Sequence, residues 1–518
     1  MKQNKNTIVC LHSSAIKVCQ RIRAFSMKKI IIIGAGLGGL AAAIRLAKSG
    51  FSVSVLEKNE TVGGKVNFVE ADGYKFDTGA SLLTMRHVLE ELFTFAGKLI
   101  EDYLEIIPLE PICRYFWSDG TIFDASADLQ KTEREIEKIA PPDVKNFQKY
   151  LADSKQKYEV AERTFLAHSL NDLPKLLRPK YLKDLVAVSS LKTLDKHNKS
   201  YFQSPKLRQL FNRFATYNGS SPFRTPATFA LIPYVEFGLG AWYVKGGMYE
   251  IPKALEKLAK ELGAEICTEA EVEKIEVENG KAVGVRVGGE SFGCDFVIAN
   301  SDAVETYRNL IDKENRLSFS DKKLNKIEPS CSGFVLLLGT KKQFPQLAHH
   351  NIFFSNDYKA EFDSIFEQKR PAPNPTIYVC ASSKTDRTQS RDGHENLFVL
   401  INAPYTNFAA DWEKEKKSYR NLIIKKLGNY GLEDLKSSID FEQIITPADF
   451  EQKYLANRGS IYGVSSNGIF SAFLRPPNKA KDIENLYFVG GATHPGGGIP
   501  LVLLSGKMVS DLIIAAVK

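Results

Sequence analysis

The apolar positions change period several times along the chain, and those changes predict its elements. Residues 30–33 are four isoleucines in a row, an unbroken β-branched run that suits a strand buried on both faces of a parallel sheet. Residues 40–48, rich in alanine and leucine, predict a helix closed by Gly50, and 52–56 predict a second strand. Alternation over 66–76 through Ala71-Asp72-Gly73 predicts a hairpin. From 88 to about 237 the spacing is mostly helical, with charged, solvated stretches at 131–163. Residues 164–196 mix leucines with Lys175, Arg178, Lys180, Lys183 and Lys192, as an interfacial membrane helix requires; an amphipathic core helix fits the same pattern. The aromatic, charge-poor run 223–243 suits either the wall of an apolar channel or plain core.

Strand and helix patterns alternate again over 242–304, with strands expected at 264–268, 272–278, 281–287 and 296–299. Residues 305–455 combine apolar strands (333–339, 376–381, 397–401) with a helix at 413–427, which predicts a mixed sheet over a substrate cavity. The chain closes with a strand over 485–491, a glycine-rich turn over 492–500 and an apolar helix over 501–516.

Chemistry enters with the glycines. Gly34, Gly36 and Gly39 follow the first strand in G-x-G-x-x-G spacing, for a sharp turn, a close pyrophosphate approach and tight helix–strand packing. The helix that follows aims free N–H groups and a positive dipole end at a phosphate. Glu57 ends the second strand, where an acid accepts hydrogen bonds from a ribose diol. Gly63-Gly64-Lys65 adds a second close backbone approach and a cation. Two such segments so close together favour FAD, long and buried, over a dissociable nicotinamide. The turn at 490–500 is expected to reach the flavin end of the same cofactor. The predicted fold class is therefore α/β: a discontinuous Rossmann-type FAD-binding domain (27–87, 238–304, 456–518), a helical lid and membrane-association region (88–237) and a mixed-sheet substrate domain (305–455).

Composition narrows the partners. The chain has 518 residues, 43% hydrophobic and 25% charged, with a net charge of +8. That mild positive charge, without a dense basic stripe, suits anionic lipid head groups and argues against nucleic acid. Seven scattered cysteines without C-x-x-C spacing read as reduced thiols, consistent with a cytoplasmic protein. No metal is expected: His349-His350 is the one histidine cluster, and neighbours on a strand point to opposite faces. No run reaches the roughly 20 apolar residues needed to span a bilayer. Residues 1–26 carry five cations and no acid, and are expected to be a disordered or mis-assigned tail before Met27.

The blocks IIIIGAGLGGLAAAIRLAKSGFSVSVLEKNETVGGK, FDTGASLLTMRHVLEELF, AWYVKGGMYEIPKAL, QLAHHNIFF, RGSIYG and NLYFVGGATHPGGGIPLVLLSG resemble those of FAD-dependent carotenoid desaturases of the bacterial phytoene-desaturase type. LTMRHVLEELF and HPGGGIPLVLLSG look more like the 1-hydroxycarotenoid 3,4-desaturases. The resemblance implies FAD held by Gly34, Gly36, Gly38, Gly39, Glu57, Gly64, Lys65 and Val272, and at the far end by Gly490, Gly491, Gly497, Ile499 and Pro500. Ala492 stands where the wider flavin amine-oxidase superfamily commonly has an aspartate, which puts a carboxylate contact to the cofactor there in doubt.

It also implies a reaction: a C–C bond beside the polyene of a hydrophobic carotenoid loses a hydride to the flavin and a proton from the neighbouring carbon. Asp143, in PPDVKNF, is the candidate acid–base group; Arg86 and His87 are candidates for binding a terminal hydroxyl. Oxygen or a membrane quinone would take the electrons. The substrate requires peripheral attachment to a membrane lipid surface. Phytoene desaturation, a soluble flavin amine oxidase and a non-catalytic prenyl-lipid carrier of the same fold are the alternatives.

Overall fold

The computed structural model describes residues 27–169, 191–406, 411–468 and 475–518. Within them, five parallel strands build one sheet in the order Leu486–Phe488, Phe296–Ala299, Lys29–Ile33, Ser52–Leu56, Glu265–Cys267. The isoleucine run takes the central place, paired on both edges, and Ile30 and Ile32 are sealed from solvent. Strands from three distant parts of the chain thus share one sheet. A three-stranded antiparallel sheet, Val272–Glu278, Lys281–Val287 and Glu290–Gly293, leans on it; the last strand is too polar for its pattern to announce it.

The helix after the first strand spans Leu37–Lys48, one turn earlier than alanine content alone suggests. Glycines 38 and 39 fall inside that added turn, where their low helix propensity hides it from a pattern reading. Against this helix lies the terminal helix Ile499–Val517. It is long and apolar enough to cross a membrane by length and composition, which the sequence reading missed, but half of it is buried inside the protein.

A seven-stranded mixed sheet runs Ile439–Ile445, Ser332–Thr340, Glu395–Ala403, Ile377–Cys380, His350–Phe353, Cys113–Phe116, Ile122–Ala125. Its last two strands correct the expectation of a mostly helical 88–237. They form a hairpin around residues 117–121, with Trp117 N bonded to the Thr121 carbonyl, and its first strand docks in parallel on His350–Phe353. Four-residue strands with an inward Tyr115 and an ion-paired Arg114–Asp124 face carry too little alternation to stand out among helices. The proposed membrane segment 164–196 falls largely on 170–190, outside the described residues, as does the tail 1–26. No disulfide links cysteines among the described residues.

Candidate active site

A cavity of about 900 Å³ runs between the two large sheets. At one end, three chain segments converge. Asn300, just past the strand Phe296–Ala299, donates from Nδ2 to the Gly34 carbonyl at 3.1 Å. A Cβ on Gly36 would lie 2.7 Å from that same Nδ2. A Cβ on Gly38 would lie 2.9 Å from Asn300 Oδ1 and 3.1 Å from the Gly490 backbone. The N-terminal and C-terminal glycine turns therefore meet across Asn300. This asparagine is absent from the expected cofactor residues; its signal in the sequence is polarity directly after four apolar positions.

Glu57 is buried and fixed by three donors: Ala35 N at 2.7 Å on Oε2, and Asn59 N and Nδ2 at 3.0 and 2.7 Å on Oε1. A carboxylate has about four acceptor positions, so capacity is left for a ribose hydroxyl. Lys65 is turned away from the glycine turn: its ammonium donates to the carbonyls of Ser460 and Ile461 at 2.9 and 3.3 Å. Burial pushes its pKa down, and the charge of Asp302 resists that; burial likewise pushes Asp302 up, opposed by Lys65.

Gly34, Gly36, Gly38, Glu57, Gly64, Lys65, Val272, Gly490, Gly491, Gly497, Ile499 and Pro500 all line this cavity. Gly39 does not; it sits behind the turn, where a Cβ would collide with the Gly34 carbonyl, so its part is packing. The cleft suits a dinucleotide: bare backbone at the turns, a helix N-terminus behind them, and an acid at the strand end.

Beyond the glycines, Phe165, Leu166, Phe229, Leu231, Ile232 and Val235 wall the cavity. The aromatic run 223–243 is thus split. Its middle faces the cavity, while Phe237 and Tyr243 are core. Arg475 is buried on the wall near the C-terminal turn, bonded to the Gly491 carbonyl at 3.3 Å, and burial pulls its pKa down to about 10. His494 donates from Nε2 toward the carbonyls of Phe165 and His168, and burial lowers its pKa to about 4, so the imidazole is neutral.

The three proposed catalytic residues lie elsewhere. Asp143 is buried outside the cavity, where its carboxylate accepts the backbone N–H groups of Gln203 and Ser204 and the Asn146 amide. It anchors the chain entering the helix Pro205–Asn212. Arg86 and His87 open the helix Arg86–Ala96 on the surface, Arg86 paired with Glu90 and Glu101 and His87 near Glu162. The cavity instead receives neighbouring Thr84 and Met85.

The histidine pair also departs from expectation. The strand begins at His350, so His349 escapes its alternation, and the two rings pack at 4.4 Å. Their nitrogens and the Cys380 sulfur lie within 4.8 Å of one another. His349 Nδ1 is engaged by Thr385 at 2.7 Å and His350 Nδ1 by Tyr378 at 2.7 Å.

With this geometry in hand, the class is plain. Residues 37–514 match the flavin-containing amine oxidoreductases, and the chain belongs to that family. It is an FAD-dependent oxidoreductase. Among curated proteins it is 43% identical to the 1-hydroxycarotenoid 3,4-desaturase of Flavobacterium sp. (strain P99-3) over 493 residues, 94% of this chain and 99% of that one. It is 41% identical to the 4,4'-diapolycopene oxygenase of Methylomonas sp, over 94% of this chain and 98% of that one. The same fold is seen in an oxidoreductase from Methanosarcina mazei (TM-score 0.61, 19% identity, 93% of this chain and 100% of that one) and in cyclohexylamine oxidase from Brevibacterium oxydans IH-35A (TM-score 0.60, 17% identity, 95% and 100%).

Proposed function

We propose that the protein desaturates the C3–C4 bond at a 1-hydroxylated acyclic carotenoid end, working from the cytoplasmic face of a membrane with oxygen or a quinone as final acceptor. The observation that carries this reading is the continuity of one cavity: its cofactor end is bare backbone at two glycine turns, and an apolar stretch of wall at Phe165, Leu166, Phe229, Leu231, Ile232 and Val235 continues from it. The 43% identity to the Flavobacterium enzyme supports the hydroxylated substrate.

FAD, when bound, supplies a hydride acceptor suited to a carbon beside a polyene. Glu57 would hold its ribose, the turn at Gly34–Gly38 its pyrophosphate, and the 490–500 turn its ring end. Leu166, Phe229, Leu231 and Ile232 would keep the polyene aligned and dry, where orientation itself lowers the barrier.

The test is product analysis with purified FAD-loaded protein and liposomes carrying a 1-hydroxylated acyclic carotenoid. The expected product is two hydrogens lighter and absorbs at longer wavelength. Unchanged carotenoid, with phytoene converted instead, would overturn the substrate assignment. A product heavier by oxygen would align the chain with its Methylomonas relative.

A further inference from the structure

We propose that Arg213, Glu236 and Tyr217 form a receptor for an oxygenated end group of the substrate, and that this receptor decides which acyclic carotenoid is accepted. The inference rests on the carotenoid reading above.

All three side chains line the cavity, beside the apolar Leu231, Ile232 and Val235. Two short helical turns, Arg213–Asn218 and Tyr234–Gly238, bring them together. Arg213 Nη2 lies 3.0 Å from both oxygens of Glu236 and 2.6 Å from the Tyr115 hydroxyl. The Tyr217 hydroxyl donates to Glu236, and the Phe214 ring lies 4.3 Å from the guanidinium carbon. Glu236 is 1% exposed and Arg213 8%. Arg213 Nε is buried and has no hydrogen-bond partner among the described residues.

Burying an ion pair costs several kcal/mol per ion, and a well-packed hydrophobic pair in its place is often neutral or stabilising. A tunnel built only for hydrocarbon gains nothing from such a pair in its wall. A hydroxyl both donates and accepts, and this cluster offers both guanidinium N–H donors and carboxylate acceptors. His350 stands on the same wall and within reach of the Arg213 charge. Its Nδ1 is held by Tyr378, which is in turn bonded to Ser81 at 2.6 Å, and its buried Nε2 has no partner among the described residues.

Position supports the same assignment. Tyr462 packs against the C-terminal glycine turn, its Cδ1 3.4 Å from where a Gly497 Cβ would be, and it also feels the Arg213 charge. The receptor and the turn assigned to the ring end of the cofactor thus share a neighbour. In a 1-hydroxylated acyclic end the hydroxyl-bearing carbon is two bonds from C3. A receptor for that hydroxyl has to adjoin the reacting bond.

The experiment compares a 1-hydroxylated acyclic carotenoid with its parent hydrocarbon, using FAD-loaded wild type, Arg213→Met, Glu236→Gln and Tyr217→Phe. Wild type is expected to favour the hydroxylated substrate by about 10- to 100-fold in kcat/KM, the range of a hydrogen bond to a charged group. In Arg213→Met and Glu236→Gln that ratio falls toward one, mainly through KM. Equal losses on both substrates, or no preference in wild type, would overturn the receptor. Tyr217→Phe removes one oxygen and keeps the ion pair, so it carries the test if the charge variants lose FAD; its ratio should fall about 3- to 10-fold. Should wild type convert neither compound, equilibrium binding read from polyene absorbance separates the two ideas. Tighter binding of the hydroxylated form sustains the receptor and sinks the desaturase reading, whereas equal binding overturns the receptor.

Discussion

Gly506 stands directly against Gly38: a Cβ on Gly506 would lie 2.8 Å from the Gly38 carbonyl oxygen and 2.9 Å from the Ala41 Cβ. The terminal helix and the helix behind the first glycine turn are held together at backbone contact. Gly506→Ala should therefore destabilise, although alanine favours an isolated helix by about 1 kcal/mol over glycine. The overpacking penalty of about 1–3 kcal/mol exceeds that gain, because the atoms met are backbone and a rigid Cβ. Lower Tm and faster loss of FAD on dialysis are expected. An unchanged Tm with full flavin content would show that the helices separate without cost.

Asn300 joins the two glycine turns, and its removal should be felt by both. Asn300→Ala takes away the donor to the Gly34 carbonyl and the atoms packed against Gly36, Gly38 and Gly490. FAD affinity should fall about 10-fold, the worth of one buried hydrogen bond together with its unsatisfied partner. Flavin titration by fluorescence quenching measures this; affinity equal to wild type would remove Asn300 from the cofactor site.

Asp143 receives two backbone N–H groups that its loss would orphan. Asp143→Ala should cost about 1–3 kcal/mol in stability and leave the rate of flavin reduction per bound FAD as in wild type. A reduction rate falling without loss of stability would restore it to the chemistry. Arg86→Ala and His87→Ala, whose partners are solvated, should each shift stability by less than about 0.5 kcal/mol.

Those three residues also show how far the sequence could be read. The nucleotide half was legible because its constraints are local: an isoleucine run, glycines at fixed offsets and an acid at the strand end all lie within residues 30–57, and strand edges at 52–56, 272–278, 281–287 and 296–299 coincide with the structure. The substrate half depends on contacts distant in sequence. Arg213 and Glu236 become a pair only when two short turns fold back on each other. The hairpin at 113–125 declares itself only by docking on His350–Phe353, 237 residues further on in its register, where Tyr115 pairs with Ile352. Asp143 drew attention as a carboxylate in a family-like segment, yet its partners at 203 and 204 are invisible to any local pattern.

A last prediction concerns pH. Asp77 ends the strand Tyr74–Asp77, is 9% exposed, and accepts the Tyr249 N–H at 3.3 Å. Burial raises its pKa to about 7; backbone donors at Met248 and Tyr249 oppose the rise, and the Glu250 charge adds to it. Tyr243 and Cys380 face it as neutral groups, both raised by burial. Between the ordinary aspartate value of 3.8 and about 7, the folded protein keeps a proton here that the unfolded chain has lost. Stability contributed by this residue therefore falls as pH rises through that window, by at most about 1.4 kcal/mol per unit, and is level above it. Asp77→Asn keeps an acceptor for Tyr249 and removes the titration. It should flatten the slope between pH 5 and 7 and leave the variant more stable than wild type at pH 8. Denaturant unfolding of the holoenzyme at pH 5 and pH 8 checks both points; a variant with the wild-type slope would mean that Asp77 is ionised in the folded protein throughout, held by its backbone donors despite burial.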